Sequence, residues 1–221
     1  MRRAACRLTS VLALALTGAL PLALTGCNVM GAILYYLSPR HIQKPEFEFP
    51  PGASVALLIE PARPEAENPV FIRALHENTE RMLRDGGCEA KLAPVEETNR
   101  VRKSAARDWS LQRIGRDLGA DYVIYVRIVR LQIRELSDHP MISPYVELDM
   151  KLIGVDRPAA FPRIWPDGRE GHAVTCKRQT SEASDPDAED AETARLGHDT
   201  AYYVSMPFIE VDLEERPPVA R

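Results

Sequence analysis

The chain has 221 residues, of which 45% are hydrophobic and 27% are charged, and its formal net charge is −4. This composition is typical of a globular protein and excludes a collagen-like or fully disordered chain. Four cysteines in this length exclude a disulfide-dense miniprotein, and the negative charge excludes a generally basic nucleic-acid-binding protein. The length is sufficient for one domain with tails.

Residues 1–26 have the parts of a bacterial signal peptide. Three arginines make the start positive, and an apolar stretch follows that is short for a membrane-spanning helix. It ends in Leu24-Thr25-Gly26-Cys27, which resembles the lipobox of bacterial lipoproteins. The resemblance implies cleavage between Gly26 and Cys27 and lipidation of the Cys27 thiol. An uncleaved anchor helix and an ordinary secretory signal peptide are the alternatives.

Residues 27–52 are predicted to form the lipid anchor and a tether. Two or three acyl chains on Cys27 would hold the protein durably at a membrane, because one chain alone binds only marginally. In the enterobacterial sorting rule, Asp directly after the lipidated cysteine retains a lipoprotein at the inner membrane. Asn28 stands at this position, as in lipoproteins that are directed to the outer membrane. Four prolines between Ser38 and Gly52 favour an extended, semi-rigid stalk, in which Phe47 and Phe49 allow a short edge strand.

A single domain is predicted over residues 53–215, and its first half alternates strands with helices. The apolar run Ser54–Ile59 predicts a strand that is buried on both faces. Asn68 and Pro69 predict the start of a helix that ends at Asp85-Gly86-Gly87. A short strand over residues 88–93 and a helix over residues 110–118, ended by Gly119, follow.

The second half predicts a long antiparallel hairpin. In residues 121–136, the first half has apolar side chains at both odd and even positions, and the second half alternates apolar with polar side chains. Residues 145–155 alternate apolar with polar side chains throughout. We expect Ile133 opposite Leu148 on the buried face and Arg134 opposite Glu147 on the wet face. Such exposed ion pairs fix the register more than the stability.

The remaining segments complete the domain. Strands are predicted over residues 161–165 and 171–178, and the acidic residues 181–192 predict a solvated loop. Residues 192–206 favour a last helix, with a strand around Tyr202 as the alternative, and residues 216–221 form a polar tail. The fold class is therefore an α/β (α+β) sandwich, a mixed sheet with a long antiparallel meander and two to three helices.

The segment Ile114-Gly115-Arg116-Asp117-Leu118-Gly119-Ala120-Asp121-Tyr122-Val123-Ile124 carries a resemblance to a known family. Together with the strand from Val55 to Ile59, it is similar to the envelope domains shared by the curli-secretion protein CsgG, the penicillin-binding-protein activator LpoB and the N-terminal domain of TolB. The resemblance spans residues 54–180 and implies a fold more than an activity. The chain lacks the long amphipathic segments that a curli-type channel needs.

The sequence offers few residues for catalysis. It has no Walker loop, dinucleotide fingerprint, HExxH, GxSxG or CxxC motif, and its five histidines are scattered, so we predict no cofactor and no metal site. Cys88 and Cys176 on predicted strands are a candidate disulfide, with two free thiols as the default. Trp165, Arg163 and Arg134 are the candidate partner contacts, since Trp and Arg are enriched at binding hot spots, although Trp165 is also suited to cap the core.

These observations favour a non-enzymatic lipoprotein that is anchored in the outer membrane and faces the periplasm. Its domain would dock, assemble or regulate an envelope protein of unknown identity, or a second copy in a homo-oligomer, and no nucleic acid is expected as a partner. The exposed half of the long strand at residues 121–136 and any uncovered sheet edge are where we expect a partner strand to add. The alternative is a lipid-anchored hydrolase or peptidoglycan- or sugar-binding enzyme that uses Glu147 and Asp149.

Overall fold

The computed structural model describes residues 42–104, 109–134, 141–167, 170–182 and 185–212. Cys27, Gly26 and the tail at 216–221 lie outside these residues. Four α-helices are formed by the described residues: α1 (Pro69–Asp85), α2 (Val95–Ser104), α3 (Leu111–Asp117) and α4 (Pro186–Ser205). The strands are β1 (Ile42–Gln43), β2 (Ser54–Pro61), β3 (Lys91–Leu92), β4 (Tyr122–Gln132), β5 (Met141–Ile142), β6 (Tyr145–Gly154), β7 (Arg163–Trp165), β8 (His172–Lys177), β9 (Ser181–Glu182) and β10 (Val211–Asp212).

A mixed six-stranded sheet organises the domain in the order β3–β2–β4–β6, with β7 and β8 both on the far side of β6. β2 is parallel to β3 and β4, whereas β6 is antiparallel to β4, β7 and β8. β1 pairs with β10 and β5 with β9 in two small antiparallel sheets. The predicted α/β sandwich is confirmed, with four helices among the described residues instead of two to three.

The helix ends follow the local signals in the sequence. Asn68 Oδ1 accepts a hydrogen bond from Phe71 N at the start of α1, and the Ser110 side chain accepts one from Arg113 N at α3. Gly119, with φ of 64°, takes the left-handed conformation that lets the chain turn from α3 into β4. Among the described residues, no helix combines the length and apolarity needed to cross a membrane.

The two faces of the sheet are covered unequally. Val55, Ile124, Leu148 and Met150 are fully or almost fully buried on the inner face, in one core with Leu75 of α1 and Leu196 of α4. A smaller cluster on the outer face joins Leu58 and Val123 to Ile114 of α3. The rest of the outer face has polar side chains on its strands.

The register of the β4–β6 hairpin differs from the predicted one. Arg130 lies opposite Glu147, and Val146 lies opposite Leu131, with an irregularity between Ile128 and Arg130. The predicted pairs, Ile133 with Leu148 and Arg134 with Glu147, are therefore wrong. The cause is a longer connection, because β5 within it pairs with β9 and leaves the hairpin.

The acidic segment 181–192 is not the predicted solvated loop. Ser181–Glu182 form β9, and α4 begins at Pro186, six residues before the predicted start. Asp185 Oδ1 accepts a hydrogen bond from Ala188 N at 2.8 Å, which caps the helix. Asp187 and Glu189 lie in the first turn, where the helix dipole stabilises negative charge.

Two smaller elements also differ from the predictions. The strand predicted over residues 88–93 is limited to Lys91–Leu92. The polar segment after Pro94 forms α2, with two glutamates in its first turn and two basic residues in its last. This charge order matches the helix dipole and stabilises a helix that has only one buried residue, Thr98.

The Pro-rich residues 42–52 lie on the domain and do not lead away from it as the predicted stalk would. Glu46 N and Phe47 N both donate to Pro207 O, at 2.8 and 3.0 Å. The rings of Phe47 and Phe49 pack edge-on against Tyr122, with centroids 5.8 and 5.5 Å away. No strand forms at these two phenylalanines, and the backbone of Phe47 is bonded to the carbonyl of Pro207 in a 3-10 turn, not to a strand.

Candidate functional site

The open part of the outer face is formed by β4, β6 and β8. Their outward side chains are half-buried or exposed: Tyr125, Arg127, Glu147, Asp149, Lys151, Ala173, Thr175 and Lys177. The inner-face residues of the same strands are buried beneath α1 and α4. The period-two alternation of the strands therefore separates a core face from a face that other molecules can reach.

Charges on this face are arranged in complementary pairs. Lys151 Nζ lies 5.3 Å from the centroid of the Tyr125 ring, and the Tyr125 hydroxyl donates to Glu60 Oε2 at 3.2 Å. Arg102 of α2 lies 3.4 Å from the Glu60 carboxylate. Burial, followed by the negative charge of Glu60, raises the pKa of Tyr125 to about 12. Tyr125 is therefore a protonated donor at neutral pH.

Glu147 and Asp149, the acidic pair of the enzyme alternative, each lie opposite a base. Arg130 is the β4 partner of Glu147, and Arg127 is the β4 partner of Asp149. Such cross-strand pairs stabilise the sheet by a few tenths of a kcal/mol to about 1 kcal/mol. Neither carboxylate lines the two clefts described below.

Gly171 allows the Asp149 carboxylate to approach the chain that leads into β8. A Cβ atom on Gly171 would lie 1.6 Å from Asp149 Oδ1, closer than any two non-bonded atoms can be. The sequence pattern predicted both strands but not this contact, because Gly171 and Asp149 are 22 residues apart in the chain.

Among the strands that the structure describes, β8 pairs with β6 alone and forms an open edge of the sheet. Arg178 N donates to Pro144 O, so the backbone of Arg178 faces β6. Because the β6–β8 register is continuous, the even-numbered residues of β8 also face β6. The N–H and C=O groups of Ala173, Thr175 and Lys177 therefore point outward. None of these six groups has a hydrogen-bond partner within the described part of the chain.

Two clefts flank the sheet. One, of about 660 Å³, lies where β2 and β4 begin and is lined by Phe47, Asp121 and Arg157. The other, of about 640 Å³, is lined by Arg116, Lys151, Arg163 and the exposed Phe161. The described residues contain no cluster of three His, Cys, Asp or Glu side chains that could hold a metal ion.

The loop beside the second cleft is held by a buried glutamine. Gln112 Nε2 donates to the carbonyl oxygens of Gly154, Val155 and Arg157 at 3.1, 3.1 and 2.7 Å. Because these acceptors are backbone atoms, the clamp fixes the path of the chain between β6 and β7. Sequence reasoning missed this residue, since a glutamine on a short helix carries no signal of its distant acceptors.

The three predicted partner contacts do not lie together on a free surface. Trp165 is only 7% exposed, its Nε1 donates to Glu46 Oε2 at 2.9 Å, and its ring lies 5.5 Å from that of Phe208. It belongs to the core, which confirms the core-capping alternative for this residue and not the surface contact. Arg163 Nη1 donates to Glu170 O, and Arg134 forms an ion pair with Glu189 at 2.7 Å.

Cys88 and Cys176 are free thiols. Cys88 precedes β3 and Cys176 lies within β8, at opposite sides of the sheet. Four strand spacings separate these sides, roughly 19 Å, whereas the Cα atoms of a disulfide lie about 4.4–6.8 Å apart. Burial raises the pKa of the Cys176 thiol to about 11 and also raises that of Cys88, so both stay protonated at neutral pH.

Comparisons with known proteins give distant structural matches. No family model and no curated protein matches the chain. Among solved structures, the PelC dodecamer from Paraburkholderia phytofirmans is 14% identical and covers 76% of this chain and 96% of its own, with a TM-score of 0.36. Lipoprotein GNA1162 from Neisseria meningitidis is 12% identical over 65% of this chain and 94% of its own, with a TM-score of 0.42.

Bacterial lipoproteins thus occur among the structural neighbours of the chain. A further one is the uncharacterized lipoprotein B from Nitrosomonas europaea, which is 11% identical over 77% of this chain and 93% of its own, with a TM-score of 0.28. Similarity at this distance identifies no activity and no partner.

Proposed function

We propose that this chain is a lipid-anchored envelope protein that docks a protein partner by strand addition and does not catalyse a reaction. The open edge of β8 carries the proposal, because six unpaired backbone groups on one straight strand form a ready template for another strand. Backbone hydrogen bonds would supply the affinity, and the charged outer face beside the edge would select the partner.

The anchor is proposed from the lipobox. Acyl chains on Cys27 would place the domain at the outer membrane, facing the periplasm, as Asn28 favours. Ile42, the first residue described, follows Cys27 by 15 residues. A fully extended chain of that length reaches roughly 50 Å, which is the upper limit for the distance between the lipidated Cys27 and Ile42. The similarity of residues 114–124 to the CsgG, LpoB and TolB domains is consistent with this role.

The arrangement of the acidic face supports a docking protein over an enzyme. Its two carboxylates lie opposite arginines on an open sheet surface, whereas catalytic carboxylates are usually found in a cleft. Replacing both, as Glu147→Gln with Asp149→Asn, is expected to leave most partner capture intact. Complete loss of the function of a folded variant would favour the enzyme alternative.

Cross-linking tests the docking edge directly. A photoreactive amino acid at Ala173, in the membrane-bound protein in cells, is expected to cross-link to one protein partner, whereas the same group at exposed Glu77 on α1 is not. Thr175→Pro is expected to abolish the cross-link, because proline removes an outward N–H while the bonds to β6 remain. Thr175→Val keeps that N–H and is the matched control. Unchanged cross-linking of the Thr175→Pro variant would contradict the proposal.

The anchor is tested separately by Cys27→Ser. We expect this variant to leave the membrane fraction and the native protein to carry acyl mass on its N-terminal cysteine. Membrane retention of the serine variant, or a mature N-terminus without acyl mass, would refute lipidation and leave the docking edge untouched.

A further inference from the structure

The open edge of β8 is complementary to itself. When two β8 strands are placed antiparallel around Thr175, Thr175 lies opposite Thr175 of the second copy and Ala173 lies opposite Lys177. These are the three residues whose N–H and C=O groups point outward, so every outward group finds a partner in one register. Three hydrogen-bonded residue pairs with two bonds each give six interchain hydrogen bonds.

We propose that the strand bound by this edge is β8 of a second copy of the chain, in a twofold-symmetric dimer. The inference rests on the proposed function, since it names the partner of the same docking edge. An isologous contact of this kind closes on itself and joins two six-stranded sheets into one continuous sheet.

Charges on the outer face favour the same register. Asp149 of β6 lies beside Ala173 of β8, and Lys177 of the second copy would lie on the other side of Ala173. The two Cα positions are two strand spacings apart, roughly 10 Å. A lysine side chain spans most of that distance, and the small Ala173 leaves it a clear path to the carboxylate. The twofold axis forms this contact twice.

The centre of the inner side of the junction is apolar. In this register Val174 lies opposite Cys176 of the second copy, as a closely spaced pair without backbone bonds between them. Both residues are buried in the single chain, where they pack against the core beneath α4. This apolar contact is limited to the central pair, because Arg178, directly after β8 on the same face, is ion-paired with Glu192 and Asp199 of α4.

This dimer is expected to be weak in solution and to form mainly on the membrane. One added strand pair buries less than the roughly 1,200 Å² of a standard stable interface. Two copies anchored in one membrane through short tethers have a raised effective concentration, which converts a weak contact into a populated one. Monomers of the unlipidated domain in dilute solution are thus compatible with dimers at the membrane.

Cysteine cross-linking in the membrane-bound full-length protein tests the register. Thr175→Cys is expected to form an interchain disulfide under mild oxidation, because directly opposite residues in a hydrogen-bonded pair have Cα atoms about 5.5 Å apart. Ala173→Cys alone is the matched control, since residue 173 would lie roughly 14 Å from its own copy. The unmodified chain, with Cys88 and Cys176, gives the background. Co-expressed Ala173→Cys and Lys177→Cys chains are expected to cross-link to each other.

The charge contact has a smaller effect of its own. In the Thr175→Cys background, Lys177→Glu places a negative charge beside Asp149 and is expected to lower the dimer yield about two- to fivefold, whereas Lys177→Gln lowers it less. Equal yields for Glu and Gln would contradict the Asp149 contact.

The outcomes separate the two proposals. Equal dimer yields from Thr175→Cys and Ala173→Cys would overturn the self-paired register. Thr175→Cys chains that cross-link only to a different protein would overturn the dimer and leave the docking function standing. If the Thr175→Pro variant keeps all of its partner cross-links, docking at this edge fails, and the dimer fails with it.

Discussion

The inner and outer faces of the sheet are formed by the same strands but differ in burial and polarity. On β6, Val146, Leu148, Met150 and Leu152 are buried beneath two helices, while the residues between them are charged and half-buried. The short helix α3 covers only the beginning of the outer face, next to β2 and β4. One face therefore holds the fold together, and the other, with the β8 edge, is available for contacts.

This difference separates stability from function in a way that single substitutions can test. Changes on the inner face should lower the free energy of unfolding, because they remove buried apolar surface. Changes on the outer face should leave stability nearly unchanged and act on binding, because those side chains are already in contact with water.

The largest effect is expected for Leu148→Ala. Leu148 is 1% exposed at the centre of the inner face, so its truncation leaves a cavity and should lower the free energy of unfolding by about 2–5 kcal/mol. Its neighbour Glu147 points to the outer face, and Glu147→Ala removes only the cross-strand pair with Arg130, so it should change stability by at most about 1 kcal/mol. Urea denaturation of the two variants measures both values. Similar losses in the two variants would remove the distinction between the faces.

Gly171→Ala tests a close contact on the outer face of the sheet. The added methyl group would meet the Asp149 carboxylate, which must move away from the chain before β8. Because the colliding atoms are the end of a half-buried side chain that can rotate, we expect a loss of at most about 1.5 kcal/mol, the cost of a strained rotamer. Asp149→Asn in the same chain keeps the collision, and Asp149→Ala removes it. Thermal denaturation should therefore show recovery with alanine and little recovery with asparagine.

A smaller loss of stability is expected from a substitution at the start of α4, the helix that covers β8. Asp185→Ala removes the cap of α4 and is expected to cost about 1 kcal/mol. Asp185→Asn, which keeps a capping oxygen, should restore most of this stability. If the alanine and asparagine variants melt together, the acidic segment would not begin the helix in the way that the structure places it.

Local signals in the sequence predicted the helices and strands, whereas the strand register depends on contacts between residues that are distant in the chain. The cap at Asn68, the end at Gly119 and the alternation of β6 were predictable, because each depends on neighbours within a few residues. The hairpin register was not, since it depends on the pairing of β5 with β9 some forty residues away. A local signal was available but overlooked at Asp185-Pro186, an N-cap followed by a proline in the first turn.

The candidate site was less predictable than the fold for a related reason. A strand pattern over residues 171–178 indicates β8, but no residue in it shows that the strand has only one neighbour. An edge is a property of the whole sheet order, which depends on the pairing of both β7 and β8 with β6. The candidate contact at Trp165 failed for a different reason. An aromatic residue among arginines is compatible with both a surface contact and a core position, and the sequence does not distinguish them.

The smallest effect concerns His76, the histidine that is buried among the described residues. His76 of α1 is 6% exposed, and within the described part of the chain neither ring nitrogen has a partner at hydrogen-bond geometry. Burial lowers its pKa below 6.5, although Glu80 and Glu77 oppose the shift. The folded state therefore keeps His76 neutral, while the unfolded chain takes up a proton near pH 6.5. Stability from this group is complete above that pH and decreases as the pH falls towards the lowered pKa.

Urea denaturation between pH 8 and pH 5.5 measures this contribution. His76→Leu removes the titrating group from the core, so its unfolding midpoint should decrease less with acidification than that of the unmodified protein. His198→Gln, at a half-exposed position on α4, is the matched control and should retain the full decrease. If the leucine variant loses as much stability as the control, the covered face would tolerate a charged imidazole. The inner face would then be more open to water than its burial indicates, and the contrast between the two faces would weaken.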